Sequence, residues 1–331
     1  MNETTYDLSP AKKTFSRIGF ALCAVLGITL LLSALWFAVP EMFVGEDSWF
    51  SASSVWMWLG MIVPLYLVAV PLGALILRKL PAQKPEDHKL RVKDFLTLIP
   101  MCICLMYSGN LIGTGLSSVL SGGTAENVLV DAAMDNNLLK VVAMVIFAPL
   151  VEEWLCRKLI IDRTRQYGEK AAVFLSAFVF GLLHQNLFQF FYAFGLGLVF
   201  AYIYIRTGRL RYPVLLHAFI NFMGSVVAPW LLSNVDLAAI ESLDPNASPE
   251  ALMETLAPML PGYLLLMLYS LFLMGFFVWG LGLIILKWKK LVWKEPEAQL
   301  PKGTVVKTAY LNGGMVLYVL LCVGAIVLTL I

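Results

Sequence analysis

The chain has 331 residues, of which 60% are hydrophobic and only 14% charged, with a formal net charge of +2. Ordinary soluble domains carry about 25% charged residues, so this composition excludes a nucleic-acid binder, a disordered protein and a large soluble enzyme. Apolar runs long enough to cross a hydrocarbon core of about 30 Å recur along the chain. Such runs are continuous rather than alternating, which predicts helices that satisfy their own backbone hydrogen bonds and not a barrel.

Nine spans are predicted, at 18–39, 56–77, 95–120, 138–161, 171–188, 189–205, 212–232, 263–286 and 309–331, with eight as the alternative if the short fifth and sixth are joined. The expected fold is an all-α polytopic transmembrane bundle in three regions: 1–137 with three spans, 138–232 as a core, and 233–331 with an acidic loop and the last spans. The first span lacks a small-residue cleavage site after Val39-Pro40-Glu41, so it is read as a span and not a signal peptide.

Basic residues cluster before span one (Lys12, Lys13, Arg17) and after span two (Arg78 to Lys93). They recur after spans four (Lys158 to Lys170), six (Arg206, Arg209, Arg211) and eight (Lys287 to Lys307). These sets hold 22 of the 24 Lys and Arg residues on one side. The rule that cytoplasmic loops are basic then places the N-terminus in the cytoplasm. The opposite loops carry acids, among them Glu46, Asp47, Asp236, Glu241 and Asp244, and a sequon at Asn246-Ala247-Ser248 that is read as chance. The five cysteines form no CxxC pair and read as packing residues.

Three spans carry side chains that are costly in lipid. The fourth holds adjacent Glu152 and Glu153, with Arg157 four residues after Glu153, a spacing that pairs Glu153 with Arg157 along one helix face. Glu152 points about 100° away and needs a partner across the bundle. The fifth holds Phe180-x-x-x-His184, and the seventh His217-x-x-x-Asn221. On a rise of 1.5 Å per residue, Glu152 and Asn221 lie roughly 14 Å from the cytoplasmic end, His217 about 8 Å and His184 about 20 Å. All four thus fall in one slab of the inner half. The bland alternative is a set of helix-end acids snorkelling to water and singly packed histidines. Cys156 has no evident base to make it a nucleophile.

A carboxylate and an imidazole facing a confined water can act as a general base, and a second imidazole with an amide can donate to an oxyanion. A zinc site on Glu152, His184 and His217 is the competing chemistry, although the HExxH spacing is missing.

In this order, on apolar segments, Glu152-Glu153-x-x-x-Arg157, Phe180-x-x-x-His184 and His217-x-x-x-Asn221 resemble the three motifs of the CPBP family, the CAAX-protease and bacteriocin-processing (Abi) group. The resemblance covers about 138–232. It implies an intramembrane endopeptidase in which Glu152 and His184 activate water, His217 and Asn221 bind the oxyanion, and Glu153 and Arg157 shape the site. A metal-free mechanism is preferred, with zinc as the alternative. The implied partners are the bilayer and a membrane-anchored protein or peptide substrate, with no nucleic acid. A bacterial plasma membrane is the expected location. The rival readings are a proton-coupled transporter and a non-catalytic membrane scaffold.

Overall fold

A computed structural model describes residues 6–45, 49–235 and 248–331. Glu46, Asp47, Asp236, Glu241, Asp244, Asn246 and Ala247, named above for the acidic loops and the sequon, lie outside the described residues. Among the described residues there is no strand. Helices occupy every predicted span: α1 (Ser9–Val44), α2 (Ser54–Leu77), α3 (Val92–Ser121), α4 (138–164), α5 (Glu169–Leu183), α6 (Leu187–Thr207), α7 (Arg211–Leu232), α8 (Ala257–Trp288) and α9 (Gly313–Leu328). Six of them, α1, α2, α3, α6, α7 and α8, are long and apolar enough to cross a membrane. The chain is an all-α integral membrane protein.

The other three depart from the expectation for physical reasons. Helix α4 is long enough, but Lys140, Glu152 and Glu153 interrupt its apolar stretch. Helix α9 has 16 residues. Helix α5, predicted over 171–188, has 15 residues, about 22 Å at 1.5 Å each, which falls short of a full crossing. It stops because Gln185 takes a left-handed φ of 54° and the Asn186 side chain caps α6 through the backbone N–H of Gln189 at 2.9 Å. His184 therefore sits at a helix end within the bundle.

Prolines shape the helices that flank the polar residues. Wide turns with i→i+5 hydrogen bonds run through Ile62–Ala69, Val142–Phe147 and Met223–Val227. Each ends two residues before a proline, Pro71, Pro149 and Pro229 respectively. A helical proline lacks an N–H and its ring collides with the carbonyl four residues back, and widening the preceding turn relieves both problems.

Helix α1 packs on α2 and α9, α6 on α3 and α5, α8 on α3, and α7 on α4. The largest core cluster joins α1, α2, α4, α5 and α9 through Phe15, Leu22, Leu77, Ile160, Leu175 and Tyr318. Only 11% of the most apolar window of α8 is buried. Its outward Leu264, Leu268, Leu271, Phe272 and Val278 form an apolar face far larger than a water-soluble surface tolerates. Lipid is the solvent that fits it.

The basic segments meet at one end of the bundle. Gln83 donates its N–H to the Asp162 carbonyl at 2.6 Å, His88 to that of Thr207 at 2.9 Å and Leu300 to that of Tyr167 at 3.0 Å. Lys294 reaches Glu86 at 2.8 Å. At the other end Trp58 donates to Asp135 at 2.7 Å and Asn137 to Ser54 at 2.8 Å.

Helices α1 and α9 touch backbone to backbone. A Cβ on Gly19 would lie 2.1 Å from the Gly314 carbonyl carbon, and one on Gly314 would lie 1.9 Å from the Ser16 carbonyl oxygen. Small residues are the usual means of such close approach in membranes. Gly314→Val should therefore push α9 off α1 and cost about 1–3 kcal/mol, read as a lower Tm of the detergent-solubilised protein, whereas Gly324→Val, with open space around Cβ, should leave Tm near wild type.

Candidate active site

The site begins with a fully buried ion pair. Glu153 and Arg157 have side chains 0% exposed. The guanidinium donates through Nε to Glu153 Oε2 at 2.7 Å and through Nη2 to Oε1 at 3.2 Å, a two-pronged contact along one helix face, as the spacing predicts. Its third arm, Nη1, reaches Ser176 Oγ at 2.6 Å, and that hydroxyl donates to the Cys156 carbonyl at 2.7 Å. The cation also lies over the Phe180 ring at 4.9 Å. Each buried charge thus has a partner, the condition for keeping it in a low-dielectric interior.

Glu153 extends the network to α7. His217 Nδ1 stands 3.1 Å from Glu153 Oε1. A carboxylate only accepts, so Nδ1 carries the proton there. The opposite nitrogen, Nε2, faces Glu152 Oε2 at 3.9 Å, just beyond direct hydrogen-bond reach. His217 therefore sits between the two glutamates, as their divergence on α4 requires. Its ring stacks on Phe200, with centroids 5.6 Å apart, and meets Phe180 edge-on at 5.4 Å.

Glu152 is less enclosed, with its side chain 17% exposed. Tyr66 of α2 donates its hydroxyl to Glu152 Oε1 at 2.9 Å. His184 shares a cavity with Glu152, Tyr66 and Gln185. Its Nδ1 lies 2.9 Å from the Phe180 carbonyl, which fixes the proton on Nδ1 and leaves the Nε2 lone pair free. The cavity offers about 80 Å³ to water, well above the roughly 10–15 Å³ that one water needs.

Asn221 is placed differently from the other predicted residues. Its amide donates to the Met144 carbonyl at 2.7 Å. In the i→i+5 register that binds the Ala148 N–H to the Ala143 carbonyl, Met144 would pair with residue 149, and Pro149 has no N–H. Asn221 satisfies that orphaned carbonyl and ties α7 to the turn that precedes Glu152. One amide hydrogen and the side-chain oxygen remain for other work.

The structure thus links Glu153, Arg157 and His217 directly, sets Glu152 3.9 Å from His217 Nε2 and on one cavity with His184, and anchors Asn221 to Met144, about two turns of α4 before Glu152. Sequence reasoning missed Tyr66, Ser176 and Phe200. A tyrosine or serine in an apolar span carries no signal of the direction in which it points. The expected alternative of zinc needs three converging donors. Among the described residues no three His, Cys, Asp or Glu side chains are grouped closely enough to hold a metal ion. Cys156 is fully buried and serves packing.

Residues 134–223 match a family model described as type II CAAX prenyl endopeptidase Rce1-like. The match contains all six predicted site residues and supports membership of the CAAX-protease (CPBP) family. No curated protein and no solved structure matches the chain.

Proposed function

We propose that this member of the CAAX-protease family is an intramembrane endopeptidase that hydrolyses a membrane-anchored protein or peptide with a water activated by Glu152 and His184. The observation that carries the reading is the position of Glu152. It lies 3.9 Å from His217 Nε2 and shares a water-sized cavity with His184 inside a helical bundle. The Glu152 carboxylate takes a proton from the water, assisted by the His184 Nε2 lone pair. The water oxygen then attacks the peptide carbonyl carbon. The oxyanion receives hydrogen bonds from His217 Nε2, which can donate only when the ring carries both protons, and from the free amide hydrogen of Asn221. The proton passes to the leaving nitrogen as the C–N bond breaks. Glu153 and Arg157 orient His217. General-base assistance contributes about 10² to 10⁴ in rate, and each oxyanion donor about 10² to 10³.

The test is membrane proteomics of cells carrying wild type or Glu152→Gln. New substrate ends should be present with wild type and missing with the variant. Identical ends in both would overturn the reading. Because no metal step enters, prolonged dialysis against strong chelators should leave cleavage unchanged, and a loss restored by zinc would reverse that point.

The basic end of the bundle belongs in the cytoplasm, with the N-terminus, in a bacterial plasma membrane. The single cysteine of a Lys84→Cys variant on an otherwise cysteine-free background should react with an impermeant maleimide in inverted vesicles and not in intact cells. The opposite pattern would invert the topology.

A further inference from the structure

Lys84, Asp87, Trp154, Lys158, Arg209 and Arg211 line a second cleft, of about 540 Å³, at the basic end of the bundle. That volume lies within the roughly 300–1,000 Å³ of pockets that take small ligands. The cleft shares no lining residue with the cavity of Glu152. Trp154 stands about 200° around α4 from Glu152, so the cleft opens on the side of that helix turned away from the hydrolytic site.

Backbone contacts hold its walls together. Gln83 and His88, on either side of Lys84 and Asp87, donate their N–H groups to the carbonyls of Asp162 on α4 and Thr207 on α6. Gly208 takes a left-handed φ of 62°, and a Cβ there would lie 2.6 Å from the carbonyl oxygens of Pro85 and Glu86. The turn between α6 and α7 therefore presses directly on the connection between α2 and α3.

The charges in the cleft do not cancel. Lys158 pairs with Asp162 at 2.5 Å, and Arg209 pairs with Asp87. Arg209 holds the Asp87 carboxyl below its usual pKa, and Lys84 and Arg211 add to that effect, so three cations surround one acid. Lys84 and Arg211 are exposed and, among the described residues, form no ion pair; Arg211 donates only to the neutral Tyr212 hydroxyl, at 3.2 Å. Helix α7 begins at Arg211, and no side chain caps its first turn, so its positive end adds to the field. Trp154 and Leu210 supply an apolar edge. Tryptophan concentrates where a membrane meets water, and basic pockets between helices at that depth suit anionic headgroups.

We infer that this cleft binds the phosphate of an anionic phospholipid headgroup, held by Lys84 and Arg211, with Trp154 and Leu210 beside the glycerol. The inference is independent of the protease chemistry and needs only that the basic end of the bundle meet a headgroup layer.

The test titrates the full chain, in a neutral detergent, with phosphatidylglycerol, phosphatidylcholine or inorganic phosphate, and follows Tm. Phosphatidylglycerol should raise Tm saturably, and the other two should not. Each cation near an anionic headgroup is worth about fivefold in affinity, so the double variant Lys84→Gln with Arg211→Gln should move the midpoint about 25-fold higher in lipid. Its lipid-free Tm should stay at the wild-type value, because both side chains are exposed and unpaired. Lys302→Gln with Lys307→Gln removes two exposed cations outside the cleft and should leave the midpoint unchanged. Equal midpoint shifts in the two double variants would reduce the effect to diffuse attraction and overturn the site. An equal rise with phosphatidylcholine would overturn it as well. A rise with inorganic phosphate matching that with phosphatidylglycerol would make the ligand a free anion and overturn the lipid assignment.

Discussion

Arg157→Met should destabilise the protein by about 3–5 kcal/mol, the usual cost of removing one partner from a buried ion pair. The variant leaves Glu153 with a 0% exposed carboxylate and His217 as its one remaining partner in the network. It also leaves Ser176 Oγ without its 2.6 Å donor and removes the cation over Phe180. The double variant Glu153→Leu with Arg157→Met should recover much of that loss, because it strands no charge and apolar replacement of a whole buried pair is often close to neutral. Ser176→Ala alone should cost about 1 kcal/mol. Thermal and denaturant unfolding in detergent micelles measure all three. A single Arg157→Met variant within about 0.5 kcal/mol of wild type would mean that the pair is not buried in the folded protein.

His184→Gln should lower kcat by about 10² to 10⁴ and leave Tm nearly unchanged. Its side chain makes one hydrogen bond to protein, from Nδ1 to the Phe180 carbonyl, and its ring meets Tyr192 of α6 only edge-on, with centroids 6.5 Å apart. His217→Gln should differ in kind. His217 is 4% exposed, bonded to Glu153 and stacked on Phe200, so that variant should lose both turnover and stability. Parallel kcat and Tm measurements on the two variants separate a residue that acts on the water from one that also holds the site together. Equal loss of stability in both would contradict the division.

Much of this was legible in the sequence, because lipid makes polar residues conspicuous. Apolar runs marked the helices, and the i, i+4 spacing of Glu153 and Arg157 anticipated their bond. The expected partner for Glu152 across the bundle is there, but it is Tyr66 of α2 at 2.9 Å and not a histidine. The same solvent hides other things. Tyr66 binds Glu152 from a span with no polar landmark, and an inward tyrosine reads like one facing lipid. The i, i+4 spacing of Asn221 to His217 predicts an amide that can donate to an oxyanion. Its bond to Met144 depends on a carbonyl that Pro149 orphans through a widened turn on another helix, which no spacing rule reports. The early end of α5 rests on a single left-handed residue, Gln185, a backbone choice that a glutamine does not announce.

The most direct test of the central claim is hydrolysis of a membrane-anchored CAAX peptide by purified, reconstituted protein, wild type against Glu152→Gln. Glutamine keeps the size and the acceptor oxygen that Tyr66 uses at 2.9 Å, so the variant should fold with a wild-type Tm. Without a carboxylate to take the water's proton, its rate should fall at least about 10²-fold. Cleavage at the wild-type rate by folded Glu152→Gln would remove Glu152 from the chemistry and leave this cavity without a base.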